Sequence, residues 1–275
     1  MLELEHQFRV VDVHARLSPD EHATTRGRAI SPENLEREMK QAGVVRAVVF
    51  PDSGADSYVT ANNAVARLSV ERPFVAFARI NGPRDPGAGA TARLRNFTSS
   101  RGPNHTSPAD VEQYAYDDRF HGFVLDPFRD GLPDEAVVDE LAEVGLPVLV
   151  RAGQAFPPDV VAETLLGRGF PVILSHFGGY PLDRDLMDRA IDLLETHDET
   201  YLDTSFVRFR EQLERALLEH PDRVLFGSGA PSAHPNVGVM ELLTLDVSED
   251  KLRRAFSKNA CRVIPELSSD VALEN

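Results

Sequence analysis

The chain has a single cysteine, Cys261, so no internal disulfide can form and no pair of thiolates is available to hold a metal. Its place in a C-terminal helical pattern predicts inert packing. No apolar run approaches the roughly 20 residues that span a bilayer. Residues 1–7 are acidic and lack the apolar core of a signal segment, so a cytoplasmic protein is expected. Lysine is also scarce: Lys40, Lys251 and Lys258 are the only lysines among 29 basic residues. Against 44 acidic residues the net charge is −15, which disfavours nucleic acid or an anionic membrane as partner and leaves self-association open.

What is present is ordinary globular composition, with 42% hydrophobic and 27% charged residues, and the apolar residues fall into short runs. Eight such runs, 8–14, 44–50, 73–80, 122–126, 147–151, 171–176, 200–204 and 224–227, predict strands. Between them, 31–42, 134–144, 159–166, 183–194 and 208–219 carry helical spacing. Ser31-Pro32-Glu33 supplies a cap, a proline for the first turn and an acidic residue beside the helix N-terminus. Strands apolar on both faces that alternate with helices predict a parallel sheet covered on both sides. Eight of them predict one α/β domain over 1–275, a single-domain (β/α)8 TIM barrel. Gly, Pro, Ser and Asn cluster at 98–108, so 98–118 reads as an insertion, either over the barrel or at a dimer contact. The segment 17–30 follows the first strand and is placed to act as a lid on the catalytic face.

Five local signatures then coincide: Val11-Asp12-Val13-His14-Ala15-Arg16, Leu174-Ser175-His176-Phe177-Gly178-Gly179, Tyr201-Leu202-Asp203-Thr204-Ser205, Leu225-Phe226-Gly227-Ser228-Gly229-Ala230-Pro231 and Asn259-Ala260-Cys261-Arg262-Val263-Ile264. In this order they resemble the amidohydrolase-related barrels, which include decarboxylases and lactonases. The resemblance implies a divalent metal held by a His-x-His pair on strand one, histidines on strands five and six, and an aspartate on strand eight. Here His14 and His176 match. Arg16, Arg151 and Gly229 stand at the other three positions.

Arginine cannot ligate a metal because its guanidinium stays protonated. A divalent cation about 4 Å from one guanidinium would be repelled by roughly 8 kcal/mol at an effective dielectric of about 20. That is comparable with the roughly 10 to 16 kcal/mol of a structural zinc site, so no bound metal is expected. If one is bound, the expectation is zinc or manganese on His14, His176 and Asp126.

Arg16 and Arg151 are instead expected to bind an anionic substrate at the barrel mouth, since a guanidinium matches a carboxylate. His14 or His176 would activate water, and Asp126 or Asp203 would orient that base. The leading expectation is a metal-independent hydrolase of a small anionic ester, lactone or amide. Two alternatives stay open: a non-catalytic binding protein on the same fold, and a metal-dependent decarboxylase or hydrolase with a rearranged ligand set. The bland reading of the arginines is an internal ion-pair network with Asp12 and Asp126.

Overall fold

The computed structural model describes residues 6–17, 31–52, 57–87 and 89–268. Eight strands form one parallel sheet in sequence order: β1 (Val10–Leu17), β2 (Val44–Pro51), β3 (Phe74–Ile80), β4 (Phe120–Leu125), β5 (Val148–Gly153), β6 (Val172–Tyr180), β7 (Thr200–Asp203) and β8 (Val224–Leu225). Beyond β8 the chain closes the circle onto β1. The backbone N–H of Val13 donates to Phe226 O at 3.0 Å, that of Gly229 to His14 O at 3.0 Å, and that of Arg16 to Ala230 O at 2.9 Å. The result is the (β/α)8 barrel that the apolar runs predict, with β1 and β6 longer at their C-terminal ends than those runs.

The helices begin where capping chemistry puts them. Ser31 Oγ accepts from the backbone N–H of Asn34 at 3.4 Å to start Pro32–Gln41. The Asp134 carboxylate accepts from Val137 N at 3.3 Å to start Glu135–Val144, which ends at Gly145 with φ 67°. Glycine suits that left-handed stop because it lacks a Cβ. Between β3 and β4 lie two helices, Ala90–Thr98 and Pro108–Tyr116. The second starts with a capping box between Ser107 and Asp110 and buries Val111 and Tyr114.

Two apolar layers hold the barrel. The outer one lies between strands and helices and includes Val49, Ala78, Leu141, Val161 and Leu217. The inner one fills the barrel with Val11, Val13, Val48, Phe77, Leu149, Ile173 and Leu225. Phe77 is the largest of these side chains, and a Cβ on neighbouring Gly122 would stand 2.5 Å from its ring, so β4 needs a glycine there.

The C-terminal stretch 249–268 stops the strand N-terminal end of the barrel with Val263, Ile264 and Leu267. Cys261 packs against the same cluster as a free thiol. The opposite end stays open, where barrels of this kind place their chemistry. The segment 17–30, expected there as a lid, lies outside the described residues apart from Leu17, which is buried in the outer layer. No helix among the described residues is long and apolar enough to cross a membrane.

Candidate active site

Alternation along β1 turns Asp12, His14 and Arg16 to the same face, yet the three do different things. Asp12 is fully buried and faces β8. Its Oδ1 accepts from the backbone N–H of His14 and of Ser228, each at 2.9 Å, and its Oδ2 accepts from Ser228 Oγ. Burial pushes its pKa up to about 6 against the pull of these hydrogen bonds. Asp12 thus latches β1 to the chain beyond β8 and pairs with neither arginine.

His14 and His176 come together at the floor of the open end, with ring centroids 5.1 Å apart. His14 Nδ1 lies 2.8 Å from Asp203 Oδ2, at the end of β7. His176 Nδ1 lies 3.0 Å from the carbonyl oxygen of Ser205. A carboxylate and a carbonyl can only accept, so each imidazole carries its proton on Nδ1 in this network. In the neutral form of each ring Nε2 then keeps its lone pair, and neither Nε2 has a hydrogen-bond partner among the described residues.

Asp203 organises this pair. It is fully buried, and its Oδ1 accepts from Ser205 N at 2.8 Å, His176 N at 3.2 Å and Ser205 Oγ. Burial works to raise its pKa, but the charge and hydrogen bond of His14, with help from His176 and Ser205, hold the carboxyl below the ordinary carboxylate range. For His176 burial dominates. Together with the charge of His14 it lowers the imidazole to about 3 against the pull of Asp203 and the Ser205 carbonyl, so the ring is neutral at ordinary pH.

This close approach needs unusual backbone: His176, Phe177 and Phe206 have φ of 58°, 52° and 57°. Left-handed geometry in such residues costs about 1–3 kcal/mol each and persists only where the surroundings enforce it.

Gly229 also has a positive φ, 71°, and a Cβ there would stand 2.5 Å from Cε2 of Phe206. The Phe206 ring therefore fills the space a strand-eight side chain would need. Asp203 supplies a carboxylate from the neighbouring strand instead.

The expected arginines do face the cavity, which has a volume of about 650 Å³ and is bordered by both histidines. Neither is bare. Arg16 Nη1 pairs with Asp52 Oδ1 at 2.8 Å and its Nη2 with Ser232 Oγ. Arg151 Nη1 pairs with Asp126 Oδ2 at 2.7 Å, and its guanidinium lies 3.8 Å above the centre of the Tyr180 ring. Asp126 therefore does not touch either histidine; it holds Arg151. The ion-pair network expected with Asp126 is present for Arg151, while Asp52 takes the place expected of Asp12 for Arg16.

Arg79 on β3 borders the same cavity and was not foreseen. It is almost fully buried; its Nε donates to Asp130 Oδ2 at 2.8 Å, and its Nη2 makes an ion pair with the same oxygen at 2.7 Å. Asn62 clasps its backbone from both sides, at 2.8 and 2.9 Å. Sequence reasoning also missed Ser205 and Phe206. The only local signal for Arg79 is a charged residue in an otherwise apolar strand, which in a barrel points to a partnered group near the mouth.

A divalent cation fits the donor set at the floor. His14, His176 and Asp203 are all buried and offer ligand atoms within 4.8 Å of one another. A neutral imidazole at His176 and an ionised carboxylate at Asp203 are the protonation states that ligation requires.

The family model described as Amidohydrolase matches residues 11–265. No curated protein matches. Among solved structures, the chain resembles a 2,6-dihydroxybenzoate decarboxylase from Rhizobium, with 17% identity and a TM-score of 0.63 over 94% of this chain and 99% of that one. It also resembles a dihydroxybenzoic acid decarboxylase from a Polaromonas species, solved with bound manganese and the inhibitor 2-nitroresorcinol. That likeness has 14% identity and a TM-score of 0.65 over 98% and 100% of the two chains. A third is a probable 2-pyrone-4,6-dicarboxylic acid hydrolase from Acinetobacter baumannii with citric acid bound, at 12% identity and a TM-score of 0.63 over 94% and 99%. At these identities the likeness shows the fold.

The expectation that no metal binds is overturned. A solved neighbour holds manganese, and His14, His176 and Asp203 converge as a ligand group. Arg16 and Arg151 do not repel a cation as bare guanidinium groups would, because Asp52 and Asp126 neutralise them. Asp203, and not the expected Asp126, is the carboxylate grouped with the two histidines. With the family's model spanning nearly its whole length and the strand-one and strand-six histidines meeting at the open end of its barrel, the chain belongs to the amidohydrolase family.

Proposed function

We propose that this chain is an enzyme that hydrolyses a small anionic ester, lactone or amide. One observation carries the reading: two imidazoles with unpartnered Nε2 atoms border a cavity shared with Arg16, Arg79 and Arg151. Asp203 fixes the His14 ring with its proton on Nδ1, which leaves Nε2 as an acceptor for a proton from the attacking water. His176, held neutral by burial, is a second acceptor on the other side of the same floor. Arg151, with only Nη1 engaged, keeps its remaining N–H groups for a carboxylate, and its position over Tyr180 fixes their plane. Arg16 stands nearer solvent and would draw an anion toward the mouth. A divalent cation held by His14, His176 and Asp203 would take those same Nε2 lone pairs and, in place of the imidazoles' proton-accepting role, would supply Lewis-acid polarisation.

A second reading is a decarboxylase with the same rearranged ligand set, and Gly229 favours it. The resemblance gives the strand-eight aspartate the task of taking the proton from hydrolytic water, and decarboxylation has no such water to activate. One assay separates the two. Purified protein supplied with manganese or zinc is offered carboxylated lactones and esters on one side and hydroxylated aryl carboxylates on the other. Acid release supports hydrolysis, and carbon dioxide release supports decarboxylation. Binding in thermal-shift experiments with turnover of neither would identify a non-catalytic binding protein.

A further inference from the structure

Three buried polar atoms beside the cavity have no hydrogen-bond partner among the described residues: Asp126 Oδ1, Ser175 Oγ and Arg79 Nη2, the last of which makes ion pairs with Asp130 and Asp126. Asp126 is the informative one. Only 5% of the residue is exposed, and its other oxygen is fully occupied by Arg151 Nη1 at 2.7 Å and the Arg79 guanidinium at 3.4 Å. Although it precedes the helical turn Pro127–Asp130, its side chain makes no bond to that turn. A carboxylate oxygen buried without a donor is costly, and a native fold keeps one where something else supplies the hydrogen.

The neighbours of Asp126 define what that something is. Arg151 engages Oδ2 of Asp126 through Nη1 alone, so its remaining N–H groups are not taken by that carboxylate. The pair therefore presents donors and an acceptor side by side. A carboxylate satisfies the donors, and a hydroxyl on the adjacent carbon reaches the acceptor. The backbone of Ser175 is in register with Arg151 on the next strand, which brings a second polar side chain to the same stretch of wall.

We infer that Asp126 is a specificity-determining residue that reads a hydroxyl beside the carboxylate of the ligand, so that the pocket selects 2-hydroxy acids over their deoxy counterparts. The inference rests on the proposal that the cavity takes a small carboxylate. It adds the second functional group that the carboxylate must carry.

The test is calorimetric titration of the full chain with malate and with succinate, two dicarboxylates that differ by one hydroxyl. Malate is expected to bind roughly ten- to a hundredfold more tightly, the range for a hydrogen bond to a charged group. Asp126→Ala should bring the two affinities together. It is the ratio that reports on the hydroxyl, because removing a negative charge will strengthen the binding of both acids. Equal affinities for the wild-type chain overturn the inference without recourse to any variant. An unchanged ratio in Asp126→Ala overturns it by placing the hydroxyl elsewhere. If that variant fails to fold, Asp126→Val, which removes both oxygens while keeping more of the side-chain volume than alanine, gives the same comparison. Succinate binding as tightly as malate leaves the carboxylate reading standing, whereas binding of neither acid at roughly 10 mM overturns both.

Discussion

Asp203 Oδ2 lies 2.8 Å from His14 Nδ1, and the same carboxylate takes the backbone N–H of His176 on its other oxygen. One side chain from β7 thereby sets the position of both histidines, one through its ring and one through its backbone. Asp203→Asn keeps the shape but loses the charge, and its amide nitrogen can donate to His14 Nδ1 and invert the tautomer. Turnover on whichever substrate the assay identifies is expected to fall by about 10²- to 10⁴-fold, the usual weight of a positioned acid-base group. Retention of wild-type kcat would remove Asp203 from the site.

The same cluster predicts cation dependence. Dialysis of the purified chain against a chelator should lower its melting temperature, and manganese or zinc should restore it in a concentration-dependent way, because an ion that binds only the folded state stabilises it. His176→Ala should abolish the restoration. Elemental analysis of the untreated protein provides the stoichiometry.

Gly229 and Phe206 share one space. Gly229→Ala places a methyl group against the Phe206 ring in a left-handed conformation and is expected to cost about 1–4 kcal/mol from backbone strain and overpacking together. Phe206→Ala in the same chain should recover the part due to the ring contact and leave the part due to φ. Urea unfolding of the two single variants and the double variant measures this coupling directly.

Arg79 is held by Asp130, whose carboxyl burial pushes up and Arg79 pulls back down. Arg79→Met would leave that buried carboxylate without its cation and is expected to destabilise the fold by about 3–5 kcal/mol. Chemical denaturation checks it. Replacing Asp130 by Asn in the same chain should return much of the loss, since the unpaired charge is then gone.

The barrel was legible because β2, β3, β5 and β6 are nearly unbroken apolar runs, the pattern of strands covered on both faces. The two histidines were legible for a related reason: each ends such a run, and alternation fixes which way it faces. Three-dimensional pairing was not. Arg16 meets Asp52, 36 residues away, and Arg151 meets Asp126, 25 residues away, and nothing in the local pattern distinguishes a bare guanidinium from a neutralised one. That gap led directly to the mistaken exclusion of a metal. Asp203 was visible as a strand-end carboxylate, but its grip on both histidines depends on the left-handed turns at His176 and Phe206, which no propensity rule assigns to those residue types.

The segment after β7 completes the ring. β8 contributes only two residues to the ladder, and Asn259 Nδ2 ties the carbonyls of Pro221 and Val224 on either side of its start, at 2.8 and 2.9 Å. The Phe226 N–H reaches Ala255 O in the same C-terminal stretch at 2.9 Å. Without those contacts the two-residue β8 would have little to hold it, and the sheet would end at β7 with an exposed edge. The cavity that holds His14 beside His176 is therefore closed by residues far along the chain from the strand that opens it.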